Sequence, residues 1–273
     1  ELITMKNILI ASNLGIYGHG MAFDSHLYDV LEENDLNPSL AICDGIMDAC
    51  QMSKFSRVMP DQLSNHGQDN LCKKCFATGK TKISDKENIL YLSRFLKEEH
   101  KAKAEHISNS TSVKDIINYE IDNFNLGEHA HAAAIRYFAN TKYLEENHGE
   151  DVLKKFFIGA LKIYYSYSEI FSKYQYDVVI AHHGIYSPQG IVVGLAKKYN
   201  INVVTWIKSY RKNTYLFSWD DSYHYTMQSI PNDWQNFKFN KELKNQAESY
   251  LVSRRYGTYD SIHFNNTPEP PNH

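Results

Sequence analysis

No apolar run in the chain approaches the roughly 20 residues that a membrane span needs, so a spanning helix is not expected. The N-terminus has neither the basic start nor the long apolar core of a secretory leader. An excess of one charge is also missing: Lys and Arg total 29, Asp and Glu total 32, and the formal charge is −3. A general nucleic-acid binder is normally basic, so that class is set aside. Cysteine is confined to four residues, all between Cys43 and Cys75. In a chain of intracellular character, disulfides are not the default for such thiols. The bias of a disordered or fibrous chain is absent too, because 42% of the 273 residues are hydrophobic and 22% charged. That length allows one large domain or two small ones, at about 100–200 residues each. Glu1–Thr4 precede Met5 and read as an addition ahead of a native start.

What is present in quantity is Tyr, with 20 residues, and His, with 13. Both suit sites that hold polyhydroxylated ligands. Both also pack well in ordinary cores, so their position along the chain has to decide.

Lys6–Ser12 (KNILIAS) reads as a buried strand ending at Asn13 and Gly15. Asn13–Gly20 (NLGIYGHG) is a glycine-rich loop. From Met21 to Glu33 the apolar residues Phe23, Leu27, Val30 and Leu31 recur at helical spacing, and Asn34 and Pro38 end that helix. Ser39–Cys43 (SLAIC) is a second short strand. Strand, glycine loop, helix, strand is the opening of a parallel α/β unit. Asp44–Lys82 has weak periodicity and reads as an insertion with short helices. Helices are expected over Asp85–His106, Ser112–Asn118, Ala130–Asn147 and Asp151–Lys173. Within the last of these, ALKIYYSYSEIF carries aromatic residues around much of the helix, which predicts deep burial.

Tyr176–His182 (YDVVIAH) returns to a strand. Ser187–Tyr199 is a helix with Pro188 in its first turn, where a missing N–H costs little. Asn202–Trp206 is the next strand, Tyr210–Trp234 is loop-rich, and Lys241–Arg255 is a final helix with Gly257 as C-cap. The expected fold is therefore α/β: one Rossmann-like parallel sheet with helices on both faces over residues 5–264, with a Cys-bearing insertion at about 44–82 and a helical middle. Residues 265–273, with three Pro, read as a linker or truncated tail.

In open α/β sheets, ligands bind beyond the carboxyl ends of the strands, where three loops fall. The first spans Asn13–His26. Gly15, Gly18 and Gly20 permit a tight backbone, and the following helix N-terminus can receive an anion. Their spacing is G-x-x-G-x-G, not the dinucleotide pattern, although Asp44 lies near where a ribose-binding acid would fall. This loop also supplies His19, Asp24 and His26, residue types that can deprotonate a hydroxyl. The second loop, His182–Pro188, opens with His182 and His183, whose neutral imidazoles can donate and accept toward sugar hydroxyls. The third, Lys208–His224, offers Lys208, Arg211 and Lys212 for phosphate and Asp220 and His224 as acid–base groups. Each loop can equally be a glycine turn, a core histidine or a solvated basic surface.

Cys43, Cys50, Cys72 and Cys75 have one Cys-x-x-Cys pair and an irregular partner pair. Four thiolates hold structural zinc tetrahedrally, an iron–sulfur cluster uses the same ligands, and free thiols or disulfides are the plain alternative. One bound zinc per chain, ordering a loop of little apolar content, is the expectation.

Six segments together resemble one family: ILIASNLGIYGHG, AICDGIMDAC with LCKKC, NLGEHAHAAAIRYF, HHGIYSPQGIVVGLAKKYNINVVTW, DDSYHYTM and YLVSRRYGTYDSIHFN. In their order they are similar to the N-terminal half of two-domain Rossmann-type glycosyltransferases (the GT-B architecture), of the kind encoded with capsule and surface-polysaccharide genes. The resemblance implies a domain that binds a glycan acceptor and contributes the base. A nucleotide-sugar donor would be held by a C-terminal donor-binding domain or a separate catalytic chain. It implies that Gly15–Gly20 faces the interdomain cleft, that His19, Asp24 or His26 is the base, and that His182 and His183 line the acceptor side. The transfer itself would need no metal. No donor-binding half follows Phe264, and NNTPEPPNH reads as the crossover linker. The function so implied is sugar transfer in surface-polysaccharide biosynthesis, in the cytoplasm or peripheral to the inner membrane through an assembly complex. The alternative is a non-catalytic glycan-binding or partner-dependent module. A third reading, a nucleotide-dependent enzyme of another class, rests on the glycine loop and Asp44.

Overall fold

The computed structural model describes residues 6–209, 214–228 and 240–255. In chain order its elements begin β1 (Asn7–Asn13), α1 (Gly18–Glu33) and β2 (Asn37–Ile42). The insertion follows as α2 (Gln51–Phe55), α3 (Pro60–His66) and α4 (Asp69–Lys82). Next come β3 (Ile89–Tyr91), α5 (Glu98–Ser110), α6 (Val113–Ile116), the small strands β4 (Glu120–Ile121) and β5 (Phe124–Asn125), α7 (Leu126–Phe138) and α8 (Gly149–Lys173). The chain then runs through β6 (Val178–His182), α9 (Gln189–Lys198), β7 (Asn202–Lys208), β8 (Tyr215–Trp219), α10 (Tyr223–Gln228) and α11 (Lys241–Arg255).

The main sheet has the order β3-β2-β1-β6-β7-β8. Five strands are parallel, and β8 returns antiparallel beside β7. Because β2 and β6 lie on opposite sides of β1, the winding reverses there, and in open α/β sheets that is the point, beyond the carboxyl ends of β1 and β6, where a ligand crevice forms. This is the Rossmann-like α/β arrangement expected from the sequence.

Strand alternation sorts the core into two layers. Ile8, Ile10, Leu40 and Ile42 face α1, whose Met21, Leu27, Tyr28 and Leu31 pack on them. Leu9, Ala11, Ala41, Val179 and Val203 point to the other face and join the large cluster built on α7, α8 and α9. Parallel strands buried on both faces read as continuous apolar runs, which is why β1, β2, β6 and β7 were visible in the sequence. Helix α8 is the pillar of the second layer. Its Phe156, Phe157, Ala160, Leu161 and Tyr167 are fully buried, as the aromatic run predicted.

Three expectations are corrected. Asp85–His106 is not one helix: Ile89–Tyr91 pairs in parallel with Leu40–Ile42, a short 3-10 turn follows at Leu92–Phe95, and the α-helix begins only at Glu98. A three-residue strand is too short to show a period of two. Ala130–Asn147 is not continuous either. Helix α7 starts earlier, where Asn125 accepts a hydrogen bond from the Glu128 N–H at 3.2 Å, and stops at Phe138 because Ala139 turns left-handed at φ 54°. Finally, the stretch read as loop from Tyr210 to Trp234 contains β8, paired from Val204–Trp219 to Lys208–Tyr215, and α10. Gly257 and residues 265–273 lie outside the described residues, as does Arg211 together with Lys212.

Candidate functional site

At the carboxyl ends of β1, β6 and β7 the side chains form a ring of aromatics and imidazoles. Tyr17 stands in the loop after β1, His182 ends β6 and Trp206 lies on β7. The His182 ring centre is 5.1 Å from Tyr17, 4.7 Å from Trp206 and 4.5 Å from His183. His183 in turn meets Tyr186 edge-on at 5.0 Å. The Arg136 guanidinium, arriving from α7, lies over the Tyr186 ring at 5.0 Å.

The turn after β6 is held in one shape. His183 has φ 42° and Gly184 φ 69°. A Cβ on Gly184 would come within 2.9 Å of the Thr205 methyl, so glycine is required there for space as well as for backbone angle. The Ile185 N–H donates to His183 Nδ1 at 3.2 Å, which leaves the proton of the neutral ring on Nε2. From α7, His129 Nδ1 bonds to the Ile185 carbonyl at 2.7 Å and braces the same loop. The Ser187–Pro188 bond that leads into α9 is cis.

Burial sets the charge states. The His182 imidazole is pushed down to about 4, first by desolvation and then by the Arg136 charge. His183 is also lowered, first by burial and then by His182, Arg136 and His224. Both imidazoles are therefore neutral at physiological pH and act as hydrogen-bonding groups and weak bases. Tyr17 is raised, mainly by burial, and keeps its phenolic proton. Asp24 behaves in the opposite sense to an ordinary carboxylate: burial raises it to about 7, against the lowering effect of the Ser12 hydroxyl and the Trp206 indole. The indole Nε1–H donates to Asp24 Oδ1 at 3.0 Å.

The structure brings some of the predicted residues together and separates others. His182, His183 and Tyr17 share the crevice, and His224 on α10 is close enough to His183 to act on it electrostatically. Asp24 is only 3% exposed and sits behind Trp206, so it shapes the site from beneath. His19 is exposed in the first turn of α1, and His26 is exposed further along it. Lys208 is half-buried at the end of β7.

Of the three glycines, only Gly18 faces open space. A Cβ on Gly20 would strike the Tyr17 ring, so this glycine seats the tyrosine. Gly15 is buried against α4, where an added Cβ would lie 2.9 Å from the Gly79 Cα and closer still to the Cys75 carbonyl. The loop's spacing therefore reflects close backbone packing at Gly15 and the seat for Tyr17 at Gly20, and its N-terminal helix turn has no side-chain cap.

Sequence reasoning missed Arg136, Tyr186 and Trp206 as site residues. One signal was available. His129 and Arg136 are seven apart on α7 and share a helical face, so a histidine that braces the β6–α9 loop also indicates the arginine.

Cys43, Cys50, Cys72 and Cys75 come together around one small cavity beside the β1–α1 loop, all as free thiols. Among the described residues, no group of three or more His, Cys, Asp or Glu side chains is placed to hold a metal ion. Among the described residues, too, no helix is long and apolar enough to cross a membrane.

No family model matches the chain, and no curated protein matches it. Among solved structures, CDPS from Staphylococcus haemolyticus overlaps 71% of this chain and 83% of its own, at 8% identity and a TM-score of 0.40. An overlap of that quality says nothing about activity.

Proposed function

We propose that the chain is the acceptor-binding half of a glycosyltransferase that extends a surface polysaccharide. The observation that carries this reading is the cluster of Tyr17, His182, His183 and Tyr186, backed by the buried Trp206, at the point where the sheet reverses its winding. Aromatic faces stack on the apolar face of a pyranose, and neutral imidazoles exchange hydrogen bonds with hydroxyls in both directions. A crevice at a topological switch point is where such a fold places its ligand. The resemblance of the six sequence segments points the same way.

In this reading His182 and His183 orient an acceptor hydroxyl, and Arg136 supplies positive charge at the crevice. A hydroxyl proton leaves toward a base as the oxygen attacks the anomeric carbon of a nucleotide-activated sugar, and the sugar–phosphate bond breaks. His19, exposed at the start of α1, suits the base better than His182, whose low pKa makes it a weak acceptor of protons. The donor is bound by a further domain or a partner chain, which also stabilises the departing phosphate.

The test is calorimetric titration with surface-polysaccharide fragments in the absence of nucleotide. Saturable binding is expected, weakened at least about tenfold by Tyr17→Ala. Absence of binding across the panel, or an unaffected Tyr17→Ala protein, would overturn the reading. Binding with no transfer from any sugar nucleotide by the full-length protein would favour the non-catalytic module instead.

A further inference from the structure

We propose that the glycan held at the end of β6 is acidic, and that Arg136 binds its carboxylate or phosphate group. This inference rests on the glycan-binding reading and adds the charge of the ligand.

Arg136 is exposed near the end of α7, yet its guanidinium is held in place. It lies 5.0 Å from the Tyr186 ring centre, on the loop after β6, and 5.8 Å from that of Phe55 on α2. Two aromatic faces fix a planar cation while leaving its N–H edge free to meet an oxyanion. Tyr186 in turn packs on His183, and His183 on His182, so the cation is continuous with the aromatic and imidazole cluster. Its field reaches Tyr17, His182, His183 and Tyr223, which belong to three separate parts of the chain. Phe55 is 60% exposed and forms an apolar rim beside the charge.

The protein supplies no acid to match this cation. Among the described residues, no carboxylate forms an ion pair with Arg136. On α7 an acid three or four residues away could reach it, but those positions hold Ala132, Ala133, Ala139 and Asn140. The acids near the crevice are engaged elsewhere. Asp24 is enclosed against the Trp206 indole, Asp220 accepts from the Val203 N–H at 3.1 Å, and Asp221 accepts from the Ser222 N–H at 2.7 Å. The groups that face the guanidinium are neutral imidazoles and phenols, which can donate hydrogen bonds to an anion without opposing its charge. His183 contributes an Nε2–H from a buried ring whose Nδ1 is already occupied by the Ile185 N–H.

A sugar that carries a carboxylate or a phosphate ester meets both halves of this surface. Its anionic group takes two parallel hydrogen bonds from the guanidinium, while its ring and hydroxyls engage the aromatics and imidazoles. A neutral sugar uses only the second half.

The test is calorimetric titration of the whole chain with three oligosaccharides of equal length: one with a uronic acid, one with a phosphate ester, and one neutral. At least one acidic oligosaccharide is expected to bind about tenfold or more tightly than the neutral one, and which of them does so identifies the anion. The preference should shrink as salt is raised. In Arg136→Gln the ratio of acidic to neutral affinity should fall to about one, and Arg136→Lys should restore part of it. Equal or tighter binding of the neutral oligosaccharide, or a preference that survives Arg136→Gln, would overturn this inference and leave the glycan reading standing. Failure of all three to bind would overturn both. The comparison made on the unmodified protein is decisive by itself, whatever the variants do.

Discussion

Replacing Asp24 by Asn should stabilise the protein, and the gain should grow with pH. Asp24 is fully enclosed, and burial lifts its carboxyl from an ordinary 3.8 to about 7. The native state therefore holds a proton that the unfolded chain releases between those values. Where the native state binds more protons, stability falls as pH rises, so this group costs nothing below about pH 4 and its full amount above about pH 7. At about 1.4 kcal/mol per pH unit, that full amount is roughly 4 kcal/mol. Asn has almost the same shape, keeps an oxygen for the Trp206 indole, and has no charge to bury. Urea unfolding of both proteins at about pH 5 and about pH 8 should show the difference widening by roughly 2–3 kcal/mol in favour of Asn. Comparing the two proteins at each pH cancels the contribution of the histidines. A difference that does not change with pH, or an Asn protein that is less stable at the higher pH, would refute the buried-carboxyl reasoning.

The remaining predictions concern the same framework. His182 is lowered to about 4, so between that value and about 6.5 the unfolded chain binds the extra proton, and this group makes stability rise with pH. A His182→Gln protein should show a shallower loss of stability on acidification over that window, read from urea midpoints. Gly15→Ala should destabilise by several kcal/mol, because its Cβ meets the Cys75 carbonyl and the Gly79 backbone, neither of which can swing aside. Thermal and urea unfolding both read this. Phe156→Ala on α8 removes a fully buried ring and should cost about 3–5 kcal/mol in urea unfolding without altering glycan binding in the folded protein.

How far the sequence could be read depended on how each element is stabilised. Strands β1, β2, β6 and β7 are enclosed on both faces, so their continuous apolar character is local and visible. Strand β3 was hidden because its three residues take their conformation from pairing with Leu40–Ile42 rather than from any pattern of their own. Strand β8 (YLFSW) was hidden because its Phe217 and Trp219 are exposed on the sheet edge, which blurs the alternation. In the crevice, His182 and His183 were legible as an unusual pair closing a strand. Arg136 and Tyr186 were not, because only the fold brings α7 against the loop after β6. The glycines of Asn13–Gly20 illustrate the limit of spacing arguments. Gly20 seats Tyr17 from the same loop, but Gly15 serves a contact with Gly79 and Cys75 on α4, and nothing within the loop itself identifies that partner.

The central claim is that the aromatic and imidazole ring at the end of β1 and β6 binds a glycan. Its most direct test is titration of the unmodified protein and its His182→Ala variant with the same surface-polysaccharide fragments. The account predicts saturable binding to the first and at least a tenfold loss in the second, with circular dichroism unchanged. Equal binding by both proteins, or binding by neither, would contradict it.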